Sequence, residues 1–287
     1  MPRLTWLRAG VATRTLTALV LVVTCAAART AVAQTPQAPA APKPQAPKPK
    51  PAPAAAADSA KPTALPTARS IIDRHVKAIG GREAILAHTS SHASGTFSMP
   101  AQNITGALDV YRAKPDKSLV KTSLGGIGDL VEGFDGTHGW TLQPMTGPML
   151  KDGQELAERK FDADFYSDLH EPTRYASMKT VEKTTFEGKP CYKISLVRKE
   201  GGEDIEYYDV ESGLKVGTSG TRQSPMGPIS GMQTFSDYKK FGDLLVATTM
   251  KQTQMGVDLV LKITAVEWDN VPDSTFDPPA QIKALIK

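Results

Sequence analysis

The chain has 287 residues, 40% hydrophobic and 22% charged, with 34 Lys+Arg against 30 Asp+Glu. The basic excess is confined to the N-terminus: residues 1–33 hold four arginines and no acid, residues 34–63 hold Lys43, Lys48, Lys50 and Lys61 against Asp58, and residues 64–287 are net −3. That leaves no basic footprint for nucleic acid. Cys25 and Cys191 are the only cysteines, and Cys25 lies in a leader. The mature chain then has no internal disulfide and must be held by its core.

Arg3, Arg8 and Arg14 precede an apolar stretch, Leu16 to Ala28, followed by Ala31-Val32-Ala33. This is the basic, apolar, small-residue order of a secretory signal, with cleavage predicted after Ala33. The apolar part is about 13 residues, short of the roughly 20 that span a bilayer, so no transmembrane anchor is expected in the mature chain. A second reading makes Cys25 a lipoprotein acceptor behind Leu21-Val22-Val23-Thr24, although Thr24 fits poorly where a small residue is usual. Residues 34–63 are Pro/Ala/Lys-rich and without apolar periodicity. They read as a disordered linker, extended by proline at roughly 3 Å per residue. A single domain is expected over residues 64–287.

That domain opens with a helix. Thr67 is the predicted N-cap, Ala68, Ile71, Ile72, His75, Val76 and Ile79 share one face, and Gly80-Gly81 ends it. His75 reads as a satisfied core residue. A short turn follows at 82–87. From residue 90 the alternation is that of strands. "GALDVYRA" sets Leu108 and Val110 on one face, "VDLVLKITAVEW" does the same for Leu259, Leu261 and Ile263, and "PCYKISLV" for Tyr192, Ile194 and Leu196. A helix is predicted at 152–168. About eleven strands in sequence-local order predict one curved, mostly antiparallel sheet carrying a few helices.

No catalytic constellation emerges. In "FDGTHGW" (134–140), Asp135-Gly136 between two strand patterns reads as a hairpin turn, and His138 has no local acid, base or metal partner. His88 and His92 are spaced as zinc ligands on a helix can be, but they straddle a helix-to-strand break and read as surface residues. Asp162, Asp164, Asp168, His170 and Glu171 lack the glycine and terminal Glu of a calcium loop and read as a solvated helix end. No metal site and no cofactor is expected. What stands out is methionine. "PMTGPM" (144–149) and "SPMGPISGM" (224–232) read as two loops whose Met145, Met149, Met226 and Met232 form a soft rim over a cavity. The 152–168 helix is then a lid beside that rim.

Three segments carry a resemblance. "GALDVYRAKPDK", with Gly106, Leu108, Val110, Arg112 and Pro115, is similar to the strand-plus-Pro segment of the periplasmic lipoprotein carrier (LolA/LolB-like, outer-membrane lipoprotein-sorting) family. "LVEGFDGTHGWTLQP" resembles that family's next hairpin, with Trp140 opening the return strand. "VDLVLKITAVEWDNVPDSTFDPP" resembles its closing strand and tail. The resemblance implies a half-open antiparallel β-barrel with helices over the concave face and an apolar cavity between them. It implies a periplasmic, non-enzymatic protein whose ligand is an acyl chain, a lipid or a lipoprotein. Leu108, Val110, Trp140, Leu259, Leu261, Ile263 and the four methionines are the ligand-binding residues this reading assigns. An interaction or sensor module that docks another envelope protein is the alternative, and a hydrolase assembled from distant residues is a third reading.

Overall fold

In the computed structural model the described residues are 64–224, 227–254 and 256–286. The predicted signal (1–33) with Cys25, the linker (34–63) and Met226 lie outside them.

The first helix, α1 (Ala68–Ala78), begins where the sequence places it. Thr67 is extended and its hydroxyl accepts from the Ser70 amide at 3.2 Å. Gly80 ends the helix at φ 135°, and a Cβ there would lie 2.7 Å from the Asp243 carbonyl. Only glycine lets the chain both turn and approach the sheet at this point. A one-and-a-half-turn helix, α2 (Arg82–Ala87), follows.

Thirteen strands then form one sheet. They are β1 (Ser90–Met99), β2 (Ile104–Ala113), β3 (Lys117–Leu124), β4 (Gly128–Phe134), β5 (Gly139–Gln143), β6 (Gly147–Leu150), β7 (Tyr175–Phe186), β8 (Lys189–Arg198), β9 (Glu203–Asp209), β10 (Lys215–Arg222), β11 (Ile229–Phe241), β12 (Leu244–Gln254) and β13 (Val257–Trp268). The spatial order runs β6-β5-β4-β3-β2-β1-β13-β12-β11-β10-β9-β8-β7, and every pairing is antiparallel. The sheet is curved and open, a half-barrel, as the sequence predicts. The count exceeds the expected eleven partly because residues 147–150, read as loop, form β6.

The pairing of β1 with β13 puts the two chain ends of the sheet at its centre. The two edges, β6 and β7, are therefore consecutive in sequence. The segment between them, 151–174, must pass across the open side of the half-barrel. It carries α3 (Gly153–Ala163) and two short 3-10 turns, Ser167–Leu169 and Pro172–Arg174. The predicted helix 152–168 thus stops five residues early, where Asp164 leaves helical geometry and its carboxylate accepts from the Tyr166 amide.

Directly paired residues share a face of the sheet. Ala93↔Val110, Ala93↔Val266, Leu261↔Met250 and Met250↔Phe235 define the concave face in one half, and Thr218↔Glu206 and Glu206↔Ile194 extend it to the other. There Ile71, Ile72 and Val76 of α1 pack on Ile194, Leu196 and Tyr208. On the convex face a short C-terminal helix, α4 (Ala280–Lys283), lies against β6, and the Asp273–Phe276 turn lies against β3. No helix among the described residues is long and apolar enough to cross a membrane.

Candidate functional site

Between α1, α2 and the concave face lies a cavity of about 390 Å³. Its sheet walls come from Ala93 of β1, Val110 of β2, Phe235 of β11, Val246 and Met250 of β12 and Ile263 and Val266 of β13. Ile79 and Ile85 supply the helical side. Alternation along the central strands turns apolar residues such as Ala93, Val110, Phe235 and Met250 inward, and the β1–β13 register shift at Ser94/Gly95 lets both Ile263 and Val266 reach the same face. The volume falls within the range of about 300–1,000 Å³ usual for ligand sites.

One rim is polar. His75, His88, Arg112, Asp168 and Lys215 also line the cavity. Lys215 Nζ lies 3.4 Å from Asp168 and 3.6 Å from Glu206, and Glu206 in turn meets His170 Nε2 at 2.9 Å and accepts from Tyr208 at 2.5 Å. Burial pushes the Lys215 ammonium down, but the Glu206 and Asp168 carboxylates outweigh it and hold the ammonium above its usual range. Burial likewise pushes Glu206 up, and His170 and Lys215 more than reverse this. Burial pushes His75 down to about 4, so the ring is neutral and its Nδ1 accepts from the Lys215 amide at 3.2 Å. The run read as a solvated helix end therefore supplies two members of an ionic cluster at the rim, Asp168, whose side chain is half exposed, and His170, which is only 3% exposed.

Arginines hold the 151–174 segment in place. Arg112 donates to the backbone carbonyls of Asp162 at 3.1 Å and Asp164 at 2.7 Å. Arg174 donates to the Phe161 carbonyl and the Asp164 carboxylate, each at 2.5 Å. On the far side Glu158 of α3 accepts from the Gln223 amide of the β10–β11 loop at 2.9 Å.

Of the residues assigned from the sequence, Val110 and Ile263 line the cavity. Leu108, Leu259 and Leu261 are on the same sheet face further along it, with Leu108 buried. Trp140 faces the opposite side. It pairs with Gly133, is fully buried, and its ring occupies the space above that glycine, where a Cβ would lie 2.1 Å from Trp140 Cζ2. Met149 is on the concave face at the edge strand, Met145 is 82% exposed in the β5–β6 turn, and Met232 in β11 is opposite Ser219 on the convex face. The structure does not gather these three methionines at a cavity mouth. Met250, which the sequence did not single out, is the methionine that lines the cavity.

The Asp135 turn is a β4–β5 connection, with Gly136 at φ 99° and the Asp135 carboxylate accepting from the Thr137 and His138 amides. His92 stacks on Tyr111 and bonds Asp109 on the convex face, whereas His88, read as a surface residue, lines the cavity. Among the described residues no group of three or more His, Cys, Asp or Glu side chains could hold a metal ion.

No family model and no curated protein matches the sequence. Solved structures do match the fold. A DUF1329 family protein from Desulfovibrio piger superposes with a TM-score of 0.53 at 14% identity, over 75% of this chain and 98% of the other. A LolA superfamily protein from Nitrosomonas europaea gives 0.50 at 12% identity, over 75% and 99%. A putative outer membrane lipoprotein-sorting protein domain from Vibrio parahaemolyticus gives 0.47 at 14%, over 73% and 95%.

Proposed function

We propose that this chain, whose fold is of the LolA/LolB-like type, is a non-enzymatic envelope protein that carries an acyl chain or lipid-like ligand in the cavity beneath α1 and α2. The observation that carries this reading is the cavity itself: about 390 Å³, walled mainly by aliphatic and aromatic side chains and spanned by a segment fixed to the rim through backbone carbonyls. Burial of methylenes supplies the affinity. At about 0.8 kcal/mol per CH₂, roughly ten buried methylenes offset the free energy of a micromolar complex before association costs are counted. A long single chain meets that requirement and a short one does not. The secretory signal predicted at residues 1–33 supports export to the periplasm.

The test is native mass spectrometry of protein exported to the envelope of a bacterial host and purified without detergent. The expected spectrum contains a one-to-one adduct that organic extraction identifies as an acyl-bearing amphiphile. A ligand-free protein that also takes up no long-chain amphiphile on titration would rule the carrier reading out.

A further inference from the structure

The hairpin tips of the half-barrel divide by charge. Neighbouring strands alternate in direction, so the connections β1–β2 (100–103), β3–β4 (125–127), β5–β6 (144–146), β10–β11 (223–228) and β12–β13 (255–256) all leave the sheet at one end. None of them contains a charged residue. The remaining connection at that end, β8–β9 (199–202), holds Lys199 and Glu200 and closes the neutral run. At the opposite end every strand-to-strand connection is charged: Lys114 and Asp116, Asp135, Glu187, Glu211 and Asp243.

The three tips on β1–β6 are neighbours and carry apolar side chains. Met145 is 82% exposed and Ile127 is 37% exposed. Pro100, Ala101 and Pro144 are exposed beside them. A Cβ on Gly128 would lie 3.1 Å from Pro144 Cγ, so the β3–β4 and β5–β6 tips meet. The charges next to this end on β3 and β4 cancel, since Lys121 Nζ lies 2.9 Å from Asp129 Oδ2. Those on β12 and β13 do the same, with Lys251 Nζ 2.8 Å from Asp258 Oδ2. The apolar character also continues inward. From the cavity wall at Val110 and Ile263, the residues Leu108, Phe97, Leu261 and Met99 follow on the same sheet face toward the tips. No charged residue of β1, β2 or β13 faces that side along the way.

The chemistry of the tips selects their partner. Protein interfaces are anchored by Trp, Tyr and Arg, and these three tips hold none of them. Nucleic acid and acidic surfaces need cations, which are absent as well. A bilayer surface asks only for apolar area without charge, and binding to it grows with the apolar area buried. We infer that the end formed by the 100–103, 125–127 and 144–146 tips docks on a lipid bilayer. An acyl chain then passes between the bilayer and the cavity along the adjoining apolar face. The passage rests on the reading of the cavity as an acyl-chain site, and the docking does not.

The test uses the exported protein with vesicles of phosphatidylcholine, alone or mixed with phosphatidylglycerol, at low and high salt. The expected result is binding to both within about twofold and insensitive to salt, because no charge takes part. The double variant Ile127→Asp, Met145→Asp should bind at least tenfold more weakly, since burial of one such side chain is already worth about a factor of ten. Position is read separately. An environment-sensitive fluorophore on Met145→Cys should shift to the blue with vesicles, and the same label on Glu211→Cys, at the charged end, should not. The native Cys191 is buried, so the label reports the introduced thiol. Absence of vesicle binding, binding that requires phosphatidylglycerol and fades with salt, or a shift at Glu211→Cys in place of Met145→Cys would each overturn the docking. Self-association without vesicles that the double variant abolishes would also overturn it, by making a second copy the occupant. Failure on vesicles with a soluble fatty-acid analogue still bound would leave the carrier reading standing. Docking with no uptake of that analogue would overturn the carrier reading and the passage alone.

Discussion

Arg112 Nη2 lies 2.7 Å from the backbone carbonyl oxygen of Asp164, and the same nitrogen reaches the Asp162 carbonyl at 3.1 Å. These carbonyls belong to the end of α3, where the helix leaves its last acceptors without intrahelical donors. A guanidinium satisfies them and complements the negative end of the helix. One strand residue on β2 thus holds the segment that crosses the half-barrel. Arg112→Leu removes two charge-assisted bonds to the end of α3, and hydrogen bonds to charged groups are worth about 1.5–3 kcal/mol where they are shielded and less where water replaces them. Hydrogen exchange should show residues 157–166 opening at least tenfold more often while β8 and β9 keep their protection. Unchanged exchange there would mean that Arg174 and Glu158 suffice.

The methionines divide by position. Met145 is solvent-exposed and Met232 is on the convex face, so replacing both with Gln should leave affinity for a fluorescent fatty acid within about twofold. Met250→Gln puts a polar amide into the cavity wall and should weaken binding at least tenfold, as burial of an unpaired amide costs about 1–3 kcal/mol. Equal effects of the two changes would return the rim reading to favour.

Trp140 is a core residue of the other face. Trp140→Ala should lower stability by about 3–5 kcal/mol, with affinity per folded molecule unchanged. Gly133→Val should act in the same direction, since a side chain there meets the indole directly. Denaturant titration beside a binding titration checks both.

What the sequence made legible is local. The α1 cap at Thr67, the stop at Gly80-Gly81 and the Asp135-Gly136 turn each depend on residues within a few positions, and so does strand alternation. β6 was hidden because Pro148 and Gly147 read as loop. As an edge strand, β6 pairs on one side only, and a proline is tolerated where the other side needs no amide. The site was hidden for a different reason. His88 meets Asp269 across 181 positions, and Arg112 meets Asp164 across 52. Asp168, His170, Glu206 and Lys215 become one cluster only when the 151–174 segment lies on the sheet. Polar residues in such a run look solvated until their partners from other strands are known.

The pH dependence of stability should carry the mark of His75. The unfolded ring binds its proton near 6.5, the folded ring only near 4. Between these values the unfolded state binds more protons, so stability falls as pH falls. From pH 7 to pH 5 the loss due to this residue is about 2 kcal/mol. His75→Gln, which can still accept from the Lys215 amide, should flatten that part of the profile in urea titrations. Below pH 5 the depressed carboxylates Glu206 and Asp168 add a further loss, because their stabilisation is full only above the unfolded carboxylate range and declines as pH drops toward their folded values. An identical slope in the variant between pH 7 and pH 5 would contradict the assignment.

The most direct measurement fills the cavity. Ala93 projects into it from the central strand β1, and Ala93→Trp should occupy the space an acyl chain needs. With a fluorescent long-chain fatty-acid analogue, the unmodified protein should show saturable one-to-one binding. The variant, with its circular dichroism and melting transition retained, should bind at least tenfold more weakly. A folded Ala93→Trp protein that binds as tightly as the unmodified one would place the ligand elsewhere and contradict the account.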